Sequence, residues 1–256
     1  MRSKAQVLQQ LIDMSHRLGE EWRQIVILGE GNTSARTSDE TFFVKASGTQ
    51  LSTITENGFV EVYFQRVLEM FECETLSDEE IKQWLRTAMV DPEGPYLPSI
   101  ETLFHAYLLS LPGVNFVGHT HPVSVNSVLC SKGWYDVTQG RLFPDEIVCC
   151  GVAPAYVEYV DPGVPLARRI REVVEDYIRE YEERPKAILM QNHGLIALGD
   201  SAKEVESITM MWDKTARVLA GTYLFGGPNY MSKAHVERIH TRPDELQRKK
   251  LIEGRQ

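Results

Sequence analysis

Three histidines and a glutamate in this chain have the types and neighbours needed to hold one divalent metal. His119 and His121 flank Thr120 and precede Pro122. His193 lies in Gln191-Asn192-His193-Gly194, and Glu101 closes Pro98-Ser99-Ile100-Glu101. Three imidazoles and a carboxylate suit zinc, which in catalytic sites keeps one position open for substrate. Manganese or cobalt would accept the same donors. A histidine at a strand end is also a common packed, hydrogen-bonded residue. Three of them at the ends of apolar runs, each beside turn residues, point to metal.

The elements that must position these donors follow from the flanking residues. Asn115-Phe116-Val117-Gly118 reads as a strand. If it persists through the histidines, residues two apart share a face, so His119 and His121 point the same way. Pro122 cannot donate to a ladder and ends the strand at the start of the next helix. Lys186-Ala187-Ile188-Leu189-Met190 is a second strand that delivers His193, and Gly194 permits a sharp turn beyond it. Glu101 begins a helical pattern capped by Ser99, with Leu103, Phe104, Tyr107 and Leu108 as its buried stripe. A carboxylate is favoured there by the free N–H groups of the first turn. The other four histidines, His16, His105, His235 and His240, read as helix or tail residues.

Two small, polar stretches lie upstream. Gly29-Glu30-Gly31-Asn32-Thr33-Ser34 reads as a loop, and Lys45-Ala46-Ser47-Gly48 follows the β-like run Thr41 to Val44. Neither has the spacing of a nucleotide-binding loop. Together they offer N–H, hydroxyl, amide and ammonium groups; the less favoured reading of Lys45 is a solvated surface lysine.

Taken in order, these stretches resemble the class II aldolase/adducin family, which includes fuculose-phosphate aldolase and ribulose-phosphate 4-epimerase. The carriers are Asn32 in its glycine-flanked stretch, Lys45-Ala46-Ser47-Gly48, Ser99-Ile100-Glu101, His119-Thr120-His121 and Asn192-His193-Gly194. The resemblance covers roughly residues 5 to 225 and is strongest to the aldolase-like domain of bifunctional aldolase/short-chain dehydrogenases. It implies a three-layer α/β/α fold around a mixed, largely antiparallel sheet. His119, His121, His193 and Glu101 become ligands of one metal per chain, zinc first, with Glu101 also the catalytic base. Asn32, Lys45, Ser47, Gly48 and Ser99 become contacts to substrate and its phosphate. The implied activity is a lyase on a sugar phosphate or related hydroxy-carbonyl compound through a metal-stabilised enediolate. Retro-aldol cleavage leads epimerisation, decarboxylation and dehydration. A homotetramer is implied as well. The rival from another class is a non-catalytic adducin-like scaffold.

The chain departs from the pattern twice. Relatives often carry two serines before the glutamate, and here the second is Ile100. Aldolase relatives also carry a tyrosine proton donor where this chain has Gln139-Gly140-Arg141.

Composition bounds the rest. Hydrophobic content of 43% and charged content of 25% are ordinary for a globular protein, and 256 residues can bury a sizeable core. A net charge of −9 argues against nucleic acid, which needs clustered Lys and Arg. No run of about 18 apolar residues suits a membrane span, and the N-terminus lacks a signal-like core. Four cysteines (Cys73, Cys130, Cys149, Cys150) without a paired spacing suit a reducing cytoplasm.

Further elements are expected as follows. Residues 4 to 20 read as a first helix with Gly19 as its stop, Gln24 to Leu28 as strand or loop, and Gly58 to Phe64 as a strand. Within residues 68–97, Ser77 and Glu80 form a capping box for a helix carrying Ile81, Trp84, Leu85, Ala88 and Met89. This segment reads as a surface helix, an interface or a lid. Val123 to Leu129 is a helix, Trp134 to Leu142 a loop, and Ile147 to Cys150 and Ala155 to Val157 are strands. Pro165 to Tyr181 is a helix, Leu195 to Leu198 a strand, and Ser201 caps a helix to about Ala220. Residues 1–225 form the aldolase-like domain and residues 226–256 a polar, partly helical arm of that domain. No dinucleotide fingerprint is present, so a fused dehydrogenase activity is not expected.

Overall fold

A computed structural model describes residues 3–73 and 76–253. Residues 74–75 of the 68–97 segment and 254–256 of the arm lie outside the described residues. Among the described residues seven strands form one sheet: β1 (Asn32–Arg36), β2 (Thr41–Lys45), β3 (Phe59–Tyr63), β4 (Phe116–Thr120), β5 (Ala155–Val157), β6 (Ala187–Met190) and β7 (Gly194–Gly199). Their order is β3-β2-β1-β4-β7-β6-β5. Every pairing is antiparallel except β5 with β6, so the sheet is mixed and largely antiparallel.

Helices cover both faces, giving the expected α/β/α layers. They are α1 (Lys4–Leu18), α2 (Phe64–Leu68), α3 (Asp78–Ala88), α4 (Thr102–Ser110), α5 (Val123–Leu129), α6 (Trp134–Thr138), α7 (Pro144–Cys150), α8 (Val164–Tyr181), α9 (Ala202–Thr222), α10 (Lys233–Thr241) and α11 (Pro243–Glu253). The period-2 alternation of the strands divides the core. Val117, Ile196 and Leu198 face one layer with Leu103 and Phe104 of α4 and Ile170 of α8. Phe116, Leu195 and Ala197 face the other with Leu11 of α1 and Val205 and Trp212 of α9.

Local chemistry sets several boundaries. Ser77 accepts from the backbone N–H of Glu80 while Glu80 accepts from that of Ser77, so α3 opens with the expected capping box. Ser201 accepts from the Glu204 N–H at 3.1 Å and caps α9. Among the described residues, no helix is long and apolar enough to cross a membrane.

Four expectations are corrected. Asn32 to Ser34 lie in β1 rather than in a loop, because β1 sits between β2 and β4 and gains backbone partners on both sides. The Ile147–Cys150 run belongs to α7, where Pro144 starts the helix with Asp145 and Glu146 in its first turn. A short apolar run cannot tell strand from helix, and the proline and acids decide it. Residues 134–138 are the helix α6 rather than loop. Residues 24–28 take the loop alternative of the two expected, with Gln24 and Leu28 in the left-handed region at φ 53° and 59°. Finally, α4 starts at Thr102 with Glu101 itself at the cap, and Ser99 accepts from the Glu101 N–H at 3.3 Å inside the preceding turn. The arm forms α10 and α11, which pack on α7 and α9.

Candidate metal centre

The sheet and α4 bring the four expected donors together. His119 is fully buried on β4, on the face of Val117, where its ring meets Phe104 of α4 edge-on at 5.7 Å. β4 ends at Thr120, and His121 just beyond keeps the same side. His119 Nε2 and His121 Nε2 are 3.0 Å apart. The turn between β6 and β7 presents His193, with Asn192 in the left-handed region at φ 53°. Asn126 of α5 pins that turn by donating to the His193 carbonyl at 3.1 Å. Glu101 Oε1 lies 3.4 Å from His119 Nε2 and 3.5 Å from His193 Nε2. One ligating atom from each histidine falls within 4.8 Å of the others.

Gly194 is required by this crowding. A Cβ there would meet the Thr120 carbonyl at 2.5 Å and His121 Cδ2 at 2.6 Å. Any side chain would displace the paired histidines.

Two rings have their far nitrogen occupied. His119 Nδ1 lies 3.2 Å from the Leu195 carbonyl. A carbonyl only accepts, so the ring donates there from Nδ1, and Nε2 is the nitrogen that can ligate a metal once it has lost its proton. His121 Nδ1 lies 3.2 Å from Glu30 Oε2, which fixes its ring likewise. Metal-binding histidines are oriented by such carbonyl and carboxylate partners. The donor set fits a tetrahedral cation: bonds of about 2.05 Å put neighbouring ligand atoms about 3.4 Å apart, against the 3.0, 3.4 and 3.5 Å seen here.

The electrostatics agree. Burial alone would raise the Glu101 carboxyl, but the charge of His119 and hydrogen bonds from His119 and His193 outweigh it and hold it well below the usual carboxylate range. Burial would likewise lower His119, and the Glu101 carboxylate reverses that and raises it. Burial, with the neighbouring histidines, pushes His121 down to about 3.

The sequence-predicted contacts divide into two groups. Asn32 pairs with His119 across β1 and β4 and shares its face. It is 1% exposed, and among the described residues neither its amide oxygen nor its amide nitrogen has a partner. Lys45 is also buried, donating to the Gly29 carbonyl at 3.3 Å. Burial lowers its ammonium, and the Glu101 carboxylate partly restores it. Ser47 and Gly48 are exposed and Ser99 half-buried. These three lie at an outer corner, where the Ser47 N–H meets the Leu97 carbonyl at 2.9 Å.

Glu30 and His105 were not singled out by the sequence reading. Glu30 stands inside the glycine-flanked stretch, and the signal for it is the carboxylate that a ligating imidazole usually needs. His105, one turn after Glu101, is fully buried with Nδ1 2.7 Å from Ser34 Oγ, and its Nε2 has no partner.

The family described as Class II Aldolase and Adducin N-terminal domain matches residues 9–220, and the chain belongs to it. It is 29% identical over 204 residues to a Bacillus subtilis (strain 168) protein named uncharacterized oxidoreductase YuxG, covering 77% of this chain and 27% of that one. The chain therefore spans about a quarter of that relative's length. It is 25% identical over 205 residues to the methylthioribulose-1-phosphate dehydratase of Bacillus pumilus (strain SAFR-032), covering 78% and 85%. Among solved structures, the N-terminal class II aldolase domain of a conserved Thermoplasma acidophilum protein superposes with a TM-score of 0.65 at 25% identity, over 86% of this chain and 96% of that one. An L-fuculose 1-phosphate aldolase superposes at 0.70 and 18% identity, over 96% and 98%, and shares the fold.

Proposed function

We propose that this member of the class II aldolase and adducin family is a metal-dependent lyase. It acts on a small hydroxy-carbonyl compound, such as a sugar phosphate, by retro-aldol cleavage. The observation that carries this reading is the convergence of His119, His121, His193 and Glu101 from β4, the β6–β7 turn and the start of α4. Two of the three imidazoles are already oriented by acceptors at Nδ1.

One divalent cation, zinc ahead of manganese or cobalt, would be held by these four residues. It would act as a Lewis acid on the substrate's carbonyl and neighbouring hydroxyl oxygens. Glu101 accepts the proton of the substrate hydroxyl as the C–C bond breaks and its electrons move toward the carbonyl oxygen. It then returns the proton to the carbon left behind. A carboxylate held at low pKa is a weak base, so this role requires the substrate to displace the histidine contacts that now stabilise its charge. Asn32 offers an unpartnered amide to the substrate, and Lys45 supplies positive charge beside Glu101. Ser47, Gly48 and Ser99 contact its far end.

Dehydration is the second reading, favoured by the similarity to a methylthioribulose-1-phosphate dehydratase. Epimerisation and decarboxylation would use the same donors. The retained donor set argues against a non-catalytic adducin-like scaffold. We further propose a homotetramer in the cytoplasm, serving carbohydrate metabolism. Trp22, Leu28, Leu224 and Phe225, between 74% and 89% exposed, supply apolar surface for subunit contacts. The free thiols of Cys73, Cys130, Cys149 and Cys150 suit a reducing compartment.

The test is elemental analysis of the chain purified without added metal. About one metal per chain is expected, and none in His119→Ala. With a substrate found by screening sugar phosphates, Glu101→Gln should cut kcat by at least about 100-fold. No metal in the wild-type chain, even on titration, overturns the lyase reading in favour of a scaffold. Unchanged turnover in Glu101→Gln removes Glu101 from the chemistry.

A further inference from the structure

Glu101 differs from the other three donors in how it is held. His119, His121 and His193 come from β4, its end and the turn between β6 and β7, and the ladders joining β4, β7 and β6 fix those positions. Glu101 comes from a helix. It is the cap residue of α4, and its own side chain makes no capping hydrogen bond. Leu103, Phe104 and Leu108 bury α4 against the sheet. Apolar burial is non-directional, so it does not by itself fix where a helix stops along its axis.

Two hydrogen bonds supply the direction, and both run to β1. Ser34 Oγ lies 2.7 Å from His105 Nδ1, and both residues are fully buried. Further along both elements, Arg36 Nη2 donates to the Leu109 carbonyl. Two strand residues advance about 6.8 Å and four helical residues about 6.0 Å, so the two ties stay in step. One step back in the same register, Asn32 comes level with Glu101. Asn32 and Ser34 lie opposite His119 and Val117 and share their face of the sheet. The Ser34 backbone is paired with Val44 on one side and Val117 on the other, which makes it a rigid anchor.

A hydroxyl and an imidazole are unexpected among these neighbours. Val44, Val117, Leu103 and Phe104 surround them in one apolar cluster, and the His105 ring stacks on Phe104 at 4.8 Å. Among the described residues Ser34 is the one side chain bonded to that ring, whose Nε2 has no partner. Buried polar contacts seldom add stability over apolar side chains of similar volume, and their best-attested use is to fix a register.

We infer that Ser34 and His105 are a positioning pair for Glu101. Their hydrogen bond sets the axial position of α4 on β1, and so places the Glu101 carboxylate 3.4 Å from His119 Nε2 and 3.5 Å from His193 Nε2. The pair acts through Glu101 and is not proposed to touch metal or substrate. This inference rests on the metal-lyase reading and adds to it the device that aims its one carboxylate donor.

Cobalt tests this without a substrate, because its visible absorption bands respond to the ligand set. The full-length wild type, Glu101→Gln, Ser34→Ala and the double variant Ser34→Ala/His105→Leu are each titrated with cobalt and unfolded in urea. Ser34→Ala should still take up about one cobalt per chain on the three histidines. It should bind about 10- to 100-fold more weakly than wild type, with bands moved toward those of Glu101→Gln. The double variant replaces the polar pair with apolar side chains, so it should resist urea as well as wild type does. Its bands should nevertheless be those of Glu101→Gln, which a merely structural role for the pair would not produce. Wild-type bands and affinity in Ser34→Ala or in the double variant overturn this inference alone, whatever the urea curves show. Wild type and Glu101→Gln are read first. A wild-type chain that takes up no cobalt overturns the metal-lyase reading and this inference with it. Wild-type bands in Glu101→Gln remove Glu101 from the ligand set, and the positioning role falls too.

Discussion

Two buried polar clusters flank β7, and they are built to opposite rules. At the start of α9, Glu204 is 2% exposed and fully engaged. Its Oε2 accepts the Asp200 N–H at 2.8 Å, Oε1 is bonded to Lys186 Nζ, and Arg184 Nη2 lies at 3.8 Å. Donors there face acceptors. Around His119 the bookkeeping fails. The Asn32 amide has no partner on either atom and His105 Nε2 has none, while His119 Nε2 is shared between His121 Nε2 at 3.0 Å and Glu101 Oε1 at 3.4 Å. Buried polar groups are costly unless paired. The first cluster therefore holds the fold together, and the second is the one that the proposed metal would complete.

The sharpest way to break this comparison is to remove one member from each side. Glu204→Ala leaves Lys186 facing a hole in a largely dry setting, and losing one partner of a buried pair costs about 3–5 kcal/mol. A drop of that size is expected in urea unfolding of the metal-free chain, with metal affinity of the folded fraction unchanged. A weakened metal site in this variant would mean that the two clusters are one network.

Glu30→Ala should do the reverse. Glu30 is not proposed to touch the metal, but it orients the His121 ring through Nδ1. Losing such a partner costs about 10- to 100-fold in metal affinity. The carboxylate is about one-third exposed, so unfolding should move by no more than about 0.5 kcal/mol. Competition against a zinc-sensitive dye would read the affinity. An unchanged value would reduce the Glu30 contact to a surface pairing.

What could be read from the sequence follows the same division. The histidines were legible because strand alternation puts His119 and His121 on one side, and because an apolar run carries His193 to a turn. Glu101 was legible as a carboxylate at a helix start. Glu30 was not, although it lies in a stretch already marked by its glycines. Its approach to His121 depends on a loop whose left-handed Gln24 and Leu28 follow no periodic pattern. The Leu195 carbonyl could not be read at all, because backbone acceptors carry no residue signature. The Ile147–Cys150 run was misread as strand because apolar content outweighed Pro144 and the acids after it. The layers and the mixed sheet were expected from family resemblance, whereas the strand order needed the structure.

The smallest expected effect separates the clusters along the pH axis, and its sign can be worked out. His119 is raised by the Glu101 carboxylate against the opposing pull of burial, whereas His121 is pushed down to about 3. In the metal-free chain His119 is thus protonated at pH values where His121 is neutral, and metal must displace its proton. Affinity should fall as pH drops through the raised value of His119, by about tenfold per unit for one competing proton. The ion pair with Glu101 stabilises the metal-free fold below the ordinary histidine value, and that contribution is lost as pH rises through the raised one. Glu204 behaves oppositely. Burial would raise it, but Lys186, the Asp200 N–H and Arg184 hold it below 4.5. Its stabilisation is present above that value and lost only as pH falls through its lowered one. Metal affinity should therefore decline at a higher pH than the one at which the fold is lost, and unfolding should follow only in stronger acid. Simultaneous loss of metal and fold at one pH would show that metal release, not protonation of the second cluster, opens the structure.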